Sequence, residues 1–347
     1  MKEYWEQEQI WLGSGVIKVR ADFRPVTCKF CGSVHVVKNG TTKQGVQNWL
    51  CTICGRGFVD NQALPKGKYP IETIGSALYQ YYTGDSLKDI RGYIEQQTGS
   101  SPSKSVIYNW VVRFSKIAID EANKYTPQVG DTWIADETML DIGGKKVWFF
   151  DVIDEKTRFL LASRLAKSRT IKEAALVMNA ARKRAGKSPK RIITDRLAAY
   201  VDGIEYVFGG SARHVQSSPF VDTDSTNVIE RFHGTLKDRI KVMRALKKPS
   251  TLVLDGFLIF YNYFRAHESL KEKTPAEVAK IKFPFKNWLD VVKGQSPIVQ
   301  TNRLLASLSE DEEIRLPLQV PYRKRPKPKR KRFERREIHQ TLSIGRV

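Results

Sequence analysis

The chain has 347 residues and a formal net charge of +22 at pH 7, with 59 Lys and Arg against 37 Asp and Glu. This length allows two or three domains, and no apolar run is long enough for a transmembrane helix. The N-terminus lacks the basic start and apolar core of a signal peptide. These features exclude a membrane-spanning protein and predict a cytoplasmic one.

The positive charge predicts nucleic acid as the partner. Ten Lys or Arg residues and one Glu lie in segment 323–336, and a large excess remains when this segment is left out. Neutralising phosphates releases counterions, so such surfaces favour nucleic acid. A membrane surface is the weaker alternative, because no lipidation signal or amphipathic anchor accompanies the charge. The tail is too charged and proline-rich to pack alone, and we expect non-specific DNA contacts from it.

All four cysteines lie in two C-x2-C pairs, Cys28 with Cys31 and Cys51 with Cys54. This spacing is typical of a four-cysteine zinc ribbon, in which each pair presents two thiolates from one tight turn. Disulfides are the alternative, and the expected intracellular setting argues against them. Four thiolates leave no open position on the metal, so we expect one structural Zn²⁺ and no catalysis there.

Helical spacing begins at residue 69 and continues to residue 116. Ser86 with Asp89 predicts the start of a second helix, Gly99 its end, and Ser103 the start of a third. The third helix is expected to bury three apolar residues spaced four apart: Val106, Trp110 and Phe114.

Two short helices joined by a tight turn after a leading helix favour a helix-turn-helix module with the third helix as reader. A plain three-helix packing unit is the alternative. In the first case the DNA-binding residues of the third helix would be Lys104, Tyr108, Asn109 and Arg113.

From residue 126 the pattern changes to three β-rich runs, a helix ending at Gly186, a strand ending at Asp195, a short fifth strand at 212–217, and a late helix. This order predicts an α/β fold with a mixed sheet, a ribonuclease-H-like core. Asp136 then lies on the first strand, Asp195 ends the fourth, and Glu230 lies on the late helix.

Four motifs in this region resemble the DDE transposase and retroviral-integrase superfamily, and most closely insertion-sequence transposases of the type-six branch. They are ADET (135–138), TDRLAAY (194–200), NVIERFHGTLKDR (227–239) and YNYFRAHESLKEKTPAEV (261–278). The resemblance covers residues 126–283. It implies a prokaryotic host and a nucleoid-associated protein.

The resemblance implies that Asp136, Asp195 and Glu230 are the catalytic carboxylates. Hard Mg²⁺ or Mn²⁺ ions prefer such oxygen ligands, and two ions can serve an in-line displacement at phosphorus. Asp136 would contact both ions, and Asp195 and Glu230 one each. The resemblance also implies that Asn227 and Lys237, on the same helix as Glu230, contact DNA.

We expect no catalytic role for seven other titratable residues of this region. Three histidines are expected to contact DNA or to be structural: His214, His233 and His267. Four acidic residues are expected to be solvated or structural: Glu137, Asp141, Asp151 and Asp154.

The sequence thus predicts a DNA transposase that binds element ends and catalyses metal-dependent strand cleavage and strand transfer, acting as a homodimer or higher oligomer on double-stranded DNA. Two alternatives remain: a nuclease of the same fold that only hydrolyses DNA, and a domesticated transposase that regulates by binding DNA. The predicted organisation is an N-terminal segment (1–25), a zinc ribbon (26–64), a helix-turn-helix domain (68–118), a catalytic domain (126–283), a C-terminal extension (284–320) and a basic tail (321–347).

Overall fold

The computed structural model describes the backbone of two antiparallel strands, β1 (Gln7–Leu12) and β2 (Gly15–Arg20), and residues 26–217, 226–242, 252–296 and 299–300. Residues Met1–Leu304 form one compact unit, and a second unit, Leu305–Val347, lies outside the described residues. The predicted basic tail and the C-terminal extension beyond residue 300 therefore lie outside them too. No helix in the described part of the chain is long and apolar enough to cross a membrane.

The cysteine-containing region forms a three-stranded antiparallel sheet of β3 (Val36–Thr41), β4 (Gln47–Cys51) and β5 (Gly57–Val59), with β4 in the centre. Its small core is built on Cys28, Cys51 and Phe58. So small a core needs an additional crosslink or metal to be stable.

Three helices follow: α1 (Ile71–Thr83), α2 (Leu87–Thr98) and α3 (Lys104–Ala122). The expected caps are confirmed. The Ser86 hydroxyl accepts a hydrogen bond from the Asp89 amide, and Ser103 accepts one from the Val106 amide. Gly99 ends α2 in the left-handed conformation at φ 63°.

Of the three residues predicted to be buried on α3, Phe114 is confirmed and the other two are wrong. Val106 and Trp110 are only partly buried, and the buried stripe comprises Ile107, Val111, Phe114 and Ala118. A strict spacing of four drifts around a helix of 3.6 residues per turn, whereas the alternating spacing of four and three stays on one face. Trp110 instead packs edge-to-face on Tyr69 beside the stripe, with ring centroids 5.0 Å apart.

The largest sheet has five strands, β6 (Thr132–Ile142), β7 (Lys145–Asp154), β8 (Leu160–Ala166), β9 (Arg191–Thr194) and β10 (Arg213–Gln216), in the order β10-β9-β6-β7-β8. Strands β6, β7 and β8 are antiparallel, and β9 and β10 run parallel to β6. This order and these directions define a ribonuclease-H-like core, which confirms the predicted fold class.

Helices cover both faces of this sheet. On one face lie α4 (Ile171–Ala185) and α5 (Ala198–Phe208); on the other lies α6 (Asn227–Val242), which packs Ile229, Phe232 and Leu236 into the core. Helix α5 was not predicted. The parallel pair β9 and β10 requires a crossover, and α5 supplies it.

The C-terminal part joins the helical module to the sheet. Helix α7 (Leu252–Ile259) continues as a π-helical turn, Phe260–Phe264, and α8 (Pro275–Val278) and α9 (Trp288–Lys293) follow. α7 packs on α3, and α9 packs on α1. One continuous hydrophobic core therefore includes residues of the three-helix module, the sheet, α6, α7 and α9.

Candidate functional site

A row of polar residues crosses one face of the sheet. Asp136 on β6 is directly opposite Asp151 on β7, and Asp151 is opposite Ser163 on β8. On the other side, the parallel ladder of β6 and β9 ends at the pair Ile134 and Ile193, so Asp136 and Asp195 each follow the last pair by two residues. The strand register thus brings the first two predicted carboxylates side by side.

His233 on α6 closes this row from above. Its Nδ1 lies 3.5 Å from Asp136 Oδ2, and its Nε2 lies 3.1 Å from Asp151 Oδ2. The Ser163 hydroxyl donates to the other oxygen of Asp151, a carboxylate with no solvent exposure. His233 was expected to contact DNA or to be structural. In the structure it bridges Asp136 and the buried Asp151, and so fixes the position of the Asp136 carboxylate.

Burial and hydrogen bonding together set the pKa values of His233 and Asp151. Burial by itself lowers the pKa of His233, but its hydrogen bonds to Asp136 and Asp151 outweigh burial and raise that pKa to about 9. Burial raises the pKa of Asp151, which His233 opposes. A doubly protonated imidazole donates from both nitrogens, as two carboxylate partners require.

Three carboxylates converge at the end of the β6–β9 ladder. One oxygen from each of Asp136, Glu137 and Asp195 lies within 4.8 Å of the others. Burial, and then the charge of Asp136, raises the pKa of Asp195, while the Leu197 amide and Arg169 lower it. Three carboxylates gathered this closely favour a bound cation, and carboxylate oxygens suit Mg²⁺ or Mn²⁺.

Glu137 was expected to be solvated or structural, and the structure places it within this group. Only 3% of its side chain is exposed, and Arg169 Nη1 lies 3.3 Å from its Oε1. Burial, followed by the charges of Asp195 and Asp136, raises the pKa of Glu137. Successive strand residues point to opposite faces, so Glu137 is directed toward α5 and Asp136 toward α6. No spacing rule in the sequence could distinguish Glu137 as a member.

Glu230 lies in the first turn of α6 and is exposed. The Thr226 hydroxyl donates to its Oε1 at 2.8 Å. Among the described residues it is not part of the three-carboxylate group. It is one helical turn before His233, which contacts Asp136, so Glu230 is on the helix that covers the row. Asn227 and Lys237 are exposed on the same helix.

The remaining acidic and histidine residues have structural contacts. Asp154 is fully buried and accepts from the Gly130 amide and from Thr157. Asp141 accepts from the Gly144 amide in the β6–β7 turn. His214 Nε2 lies 2.8 Å from Thr194 Oγ1.

The four cysteines lie close together, as predicted. Cys28 Sγ is 3.6 Å from Cys54 Sγ, and Cys31 Sγ is 3.6 Å from Cys51 Sγ. A tetrahedral zinc with four thiolates at about 2.3 Å has sulfur–sulfur separations of about 3.8 Å. All four sulfurs lie within 4.8 Å of one another, so the group can hold one metal ion.

The predicted DNA-reading residues of α3 lie in two directions. Asn109 and Arg113 are exposed and opposite the buried stripe. Lys104, also exposed, and Tyr108, which packs partly against the core, lie at an edge of that stripe. At about 100° per residue these two pairs cannot share one face.

Comparison with known proteins agrees with the fold and the motifs. Residues 130–267 match a family model described as a DDE domain, of the IS240 transposase type. A search of curated proteins finds no match.

Solved structures similar to the chain include viral integrases. The magnesium complex of the HTLV-2 integrase catalytic core domain has 18% sequence identity and a TM-score of 0.36, over 44% of this chain and 97% of that one. The simian T-cell lymphotropic virus intasome in complex with PP2A regulatory subunit B56 gamma has 15% identity and a TM-score of 0.38, over 58% and 73%. The BIV integrase catalytic core domain has 17% identity and a TM-score of 0.35, over 44% and 94%.

The sheet order and the carboxylates at its centre define a ribonuclease-H-like domain with a candidate metal centre. The motif resemblance is confirmed by the family match: this part of the chain belongs to the DDE transposase and integrase superfamily. Domains of this superfamily serve DNA transposition or integration, and membership implies polynucleotidyl transfer with a divalent metal.

Proposed function

We propose that the protein is a DNA transposase that binds the ends of its element, cleaves a DNA strand there and joins the freed end to target DNA. One observation carries this proposal: the register of β6 and β9 brings Asp136 and Asp195 together beneath the helix that carries Glu230.

In this proposal Asp136, Asp195 and Glu230 hold the catalytic Mg²⁺ or Mn²⁺ ions. Bound there, the ions would supply an activated nucleophile and stabilise the leaving oxygen. His233 keeps Asp136 in place, because a carboxylate paired with an anchored imidazolium cannot rotate freely. Asn227 and Lys237 contact the DNA at the entrance. Arg169 neutralises Glu137, so we assign Glu137 a supporting role rather than that of a third ligand.

The other modules serve recognition. The four cysteines hold one structural Zn²⁺, which stabilises a sheet too small to fold by its own core. Asn109 and Arg113, on the exposed face of α3, contact the element end, and any DNA contact of Lys104 and Tyr108 is made from a different side of the helix. Two ends must meet in one complex for joining, so the protein acts as a dimer or higher oligomer on double-stranded DNA.

The test compares Glu230→Gln with Glu137→Gln in the full-length chain, with Asp202→Asn as control. Asp202 is exposed on α5, away from the row. The assay is Mn²⁺-dependent joining of labelled, pre-cut DNA from the flanks of the gene. Asp136→Asn, Asp195→Asn and Glu230→Gln should each lower joining by orders of magnitude, because the metal supplies the chemistry. Binding of the same DNA should persist.

The alternatives give different products. Hydrolysis without joined product would identify a nuclease, and binding without metal-dependent cutting a regulator. If Glu230→Gln joined normally while Glu137→Gln were inactive, the third ligand would be Glu137 and our assignment of Glu230 would be wrong.

A further inference from the structure

A small cationic cavity lies beside α6, next to the turn that carries Glu230. Its volume is about 170 Å³, and its ten lining residues include three arginines and no Asp or Glu. The arginines come from three separate parts of the chain: Arg158 from the β7–β8 turn, Arg231 from α6, and Arg265 from the segment after the π-helical turn.

These arginines have no counterion among the residues that the structure describes. Elsewhere Arg164 pairs with Glu173 and Arg169 with Glu137. In the part of the chain that the structure describes, no carboxylate lies within ion-pair distance of the three cavity arginines. Arg158 and Arg265 are half-buried. Half-buried like charges without an anion are unfavourable, and a bound anion removes that cost.

The rest of the lining suits an anion with several oxygens. Ser269 brings a hydroxyl group, and the first turn of α6 lines one side, where the helix dipole favours negative charge. The buried ring of Tyr261 forms part of the wall and limits the room to one small group.

The backbone at Arg158 points to a use for this side chain. Arg158 has φ 58°, the left-handed conformation that glycine adopts without strain. Its amide donates to the Asp154 carbonyl at 2.9 Å, which closes the turn whatever the side chain. The turn itself therefore does not require an arginine.

We propose that this cavity binds one backbone phosphate of the DNA, next to the metal centre, through Arg158, Arg231 and Arg265. The inference rests on the proposed function for the identity of its ligand. Arg158 and Arg265 then position the DNA, whereas the carboxylates hold the metal ions and α3 contacts the element end. A phosphate clamped here fixes the register of the duplex along α6, because phosphate contacts position a protein on DNA.

The first experiment measures binding of the full-length chain to a labelled duplex from the flank of the gene, in EDTA and over a range of salt. We expect Arg158→Gly and Arg265→Gln each to weaken binding roughly tenfold, as the loss of a charge-assisted hydrogen bond implies. In the double variant the plot of log K against log salt should be shallower by about one unit of slope, the value for one phosphate. Lys183→Gln removes an equal charge from the exposed surface of α4. It should leave the affinity and the salt slope unchanged.

Folding is controlled by the choice of variant. Glycine at position 158 removes left-handed strain, so Arg158→Gly should unfold at an unchanged or higher urea concentration than wild type. A variant that binds less DNA and yet is equally stable has lost a contact rather than its fold.

The second experiment replaces single phosphates of the duplex by neutral methylphosphonates. One position should weaken wild-type binding about tenfold and have no effect on the Arg158→Gly, Arg265→Gln double variant. Equal effects on both proteins at every position would overturn the proposal. So would tight binding of inorganic phosphate that the double variant loses while its affinity for DNA is unchanged, since the cavity would then be a free-anion site.

Both experiments are done without catalytic metal. If wild type failed to join DNA but the methylphosphonate result held, the proposed function would fail and the phosphate site would stand. If wild type joined DNA and no position distinguished the two proteins, only the phosphate site would fail.

Discussion

Gly256 on α7 marks a close approach between the three-helix module and the C-terminal helices. A Cβ atom at this position would overlap the Tyr82 hydroxyl and lie 2.5 Å from Ser115 Oγ and 2.8 Å from Ser115 Cβ. The Tyr82 hydroxyl and Ser115 Oγ are 2.5 Å apart and fully buried. Gly256→Ala therefore tests whether α3 and α7 pack as the structure shows.

The neighbours cannot move aside cheaply. Ser115 Cβ is attached to the backbone of α3, and the Tyr82 ring is stacked between Phe260 at 6.1 Å and Trp288 at 4.9 Å. Overpacking a core costs about 1–3 kcal/mol. Breaking the Tyr82–Ser115 hydrogen bond adds about 1–3 kcal/mol, while alanine gains about 1 kcal/mol over glycine as a helix former. The net loss of stability should be about 3 kcal/mol.

The assay is urea unfolding of the full-length chain, followed by the circular dichroism of its helices. Gly92→Ala on α2 is the matched control, because a Cβ there meets nothing within 4 Å. It should stabilise the protein by about 0.5–1 kcal/mol. Tyr82→Phe removes the nearest clashing atom, so adding it to Gly256→Ala should restore at least about 1 kcal/mol. A Gly256→Ala protein as stable as the Gly92→Ala control would refute the packing of α3 on α7.

Four further predictions concern the modules and the metal centre. Cys51→Ser should abolish the one zinc per chain found by elemental analysis and unfold the cysteine sheet alone; a zinc-free wild type of full stability would contradict this. Deleting residues 321–347 should weaken binding to all DNA sequences and flatten the salt dependence; a selective change in sequence preference would reverse the assignment. Arg113→Gln should reduce the preference for end DNA over random DNA in competition assays, and an unchanged preference would exclude α3 as reader. Asp151→Asn breaks a buried pair with His233 and should cost about 3 kcal/mol in urea unfolding, where no loss would argue against the pair.

Local sequence signals determined the ends of several helices and one hairpin. The serines before α2 and α3 and the glycines after α2 and α4 set helix ends, since capping depends on residues within one turn. The two glycines at 143–144 also determine the register of the β6–β7 hairpin. A two-residue turn there pairs Ile142 with Lys145, and counting back along both strands places Asp136 opposite Asp151. The hairpin turn alone therefore fixes this pairing.

Other features depended on contacts between distant segments. The buried stripe of α3 is set by its packing partners, among them α7, which is more than a hundred residues away in the chain. The place of His233 between Asp136 and Asp151 required α6 to lie over the sheet in one orientation. Glu137 joined the carboxylate group only because β6 and β9 separate at that point.

The arginine cavity is the clearest case of a site that tertiary structure alone assembles. Arg158, Arg231 and Arg265 share no motif, and each by itself is indistinguishable from the many other basic residues of a strongly charged chain. The sequence by itself determined the five strands of the largest sheet, helices α1 to α4 and α6, the cysteine pairs and the motif carboxylates, because periodicity, capping and ligand spacing act over a few residues. Only the tertiary structure decided which side chains from distant segments meet, because docking of α6 and the C-terminal helices depends on the packing of the whole core.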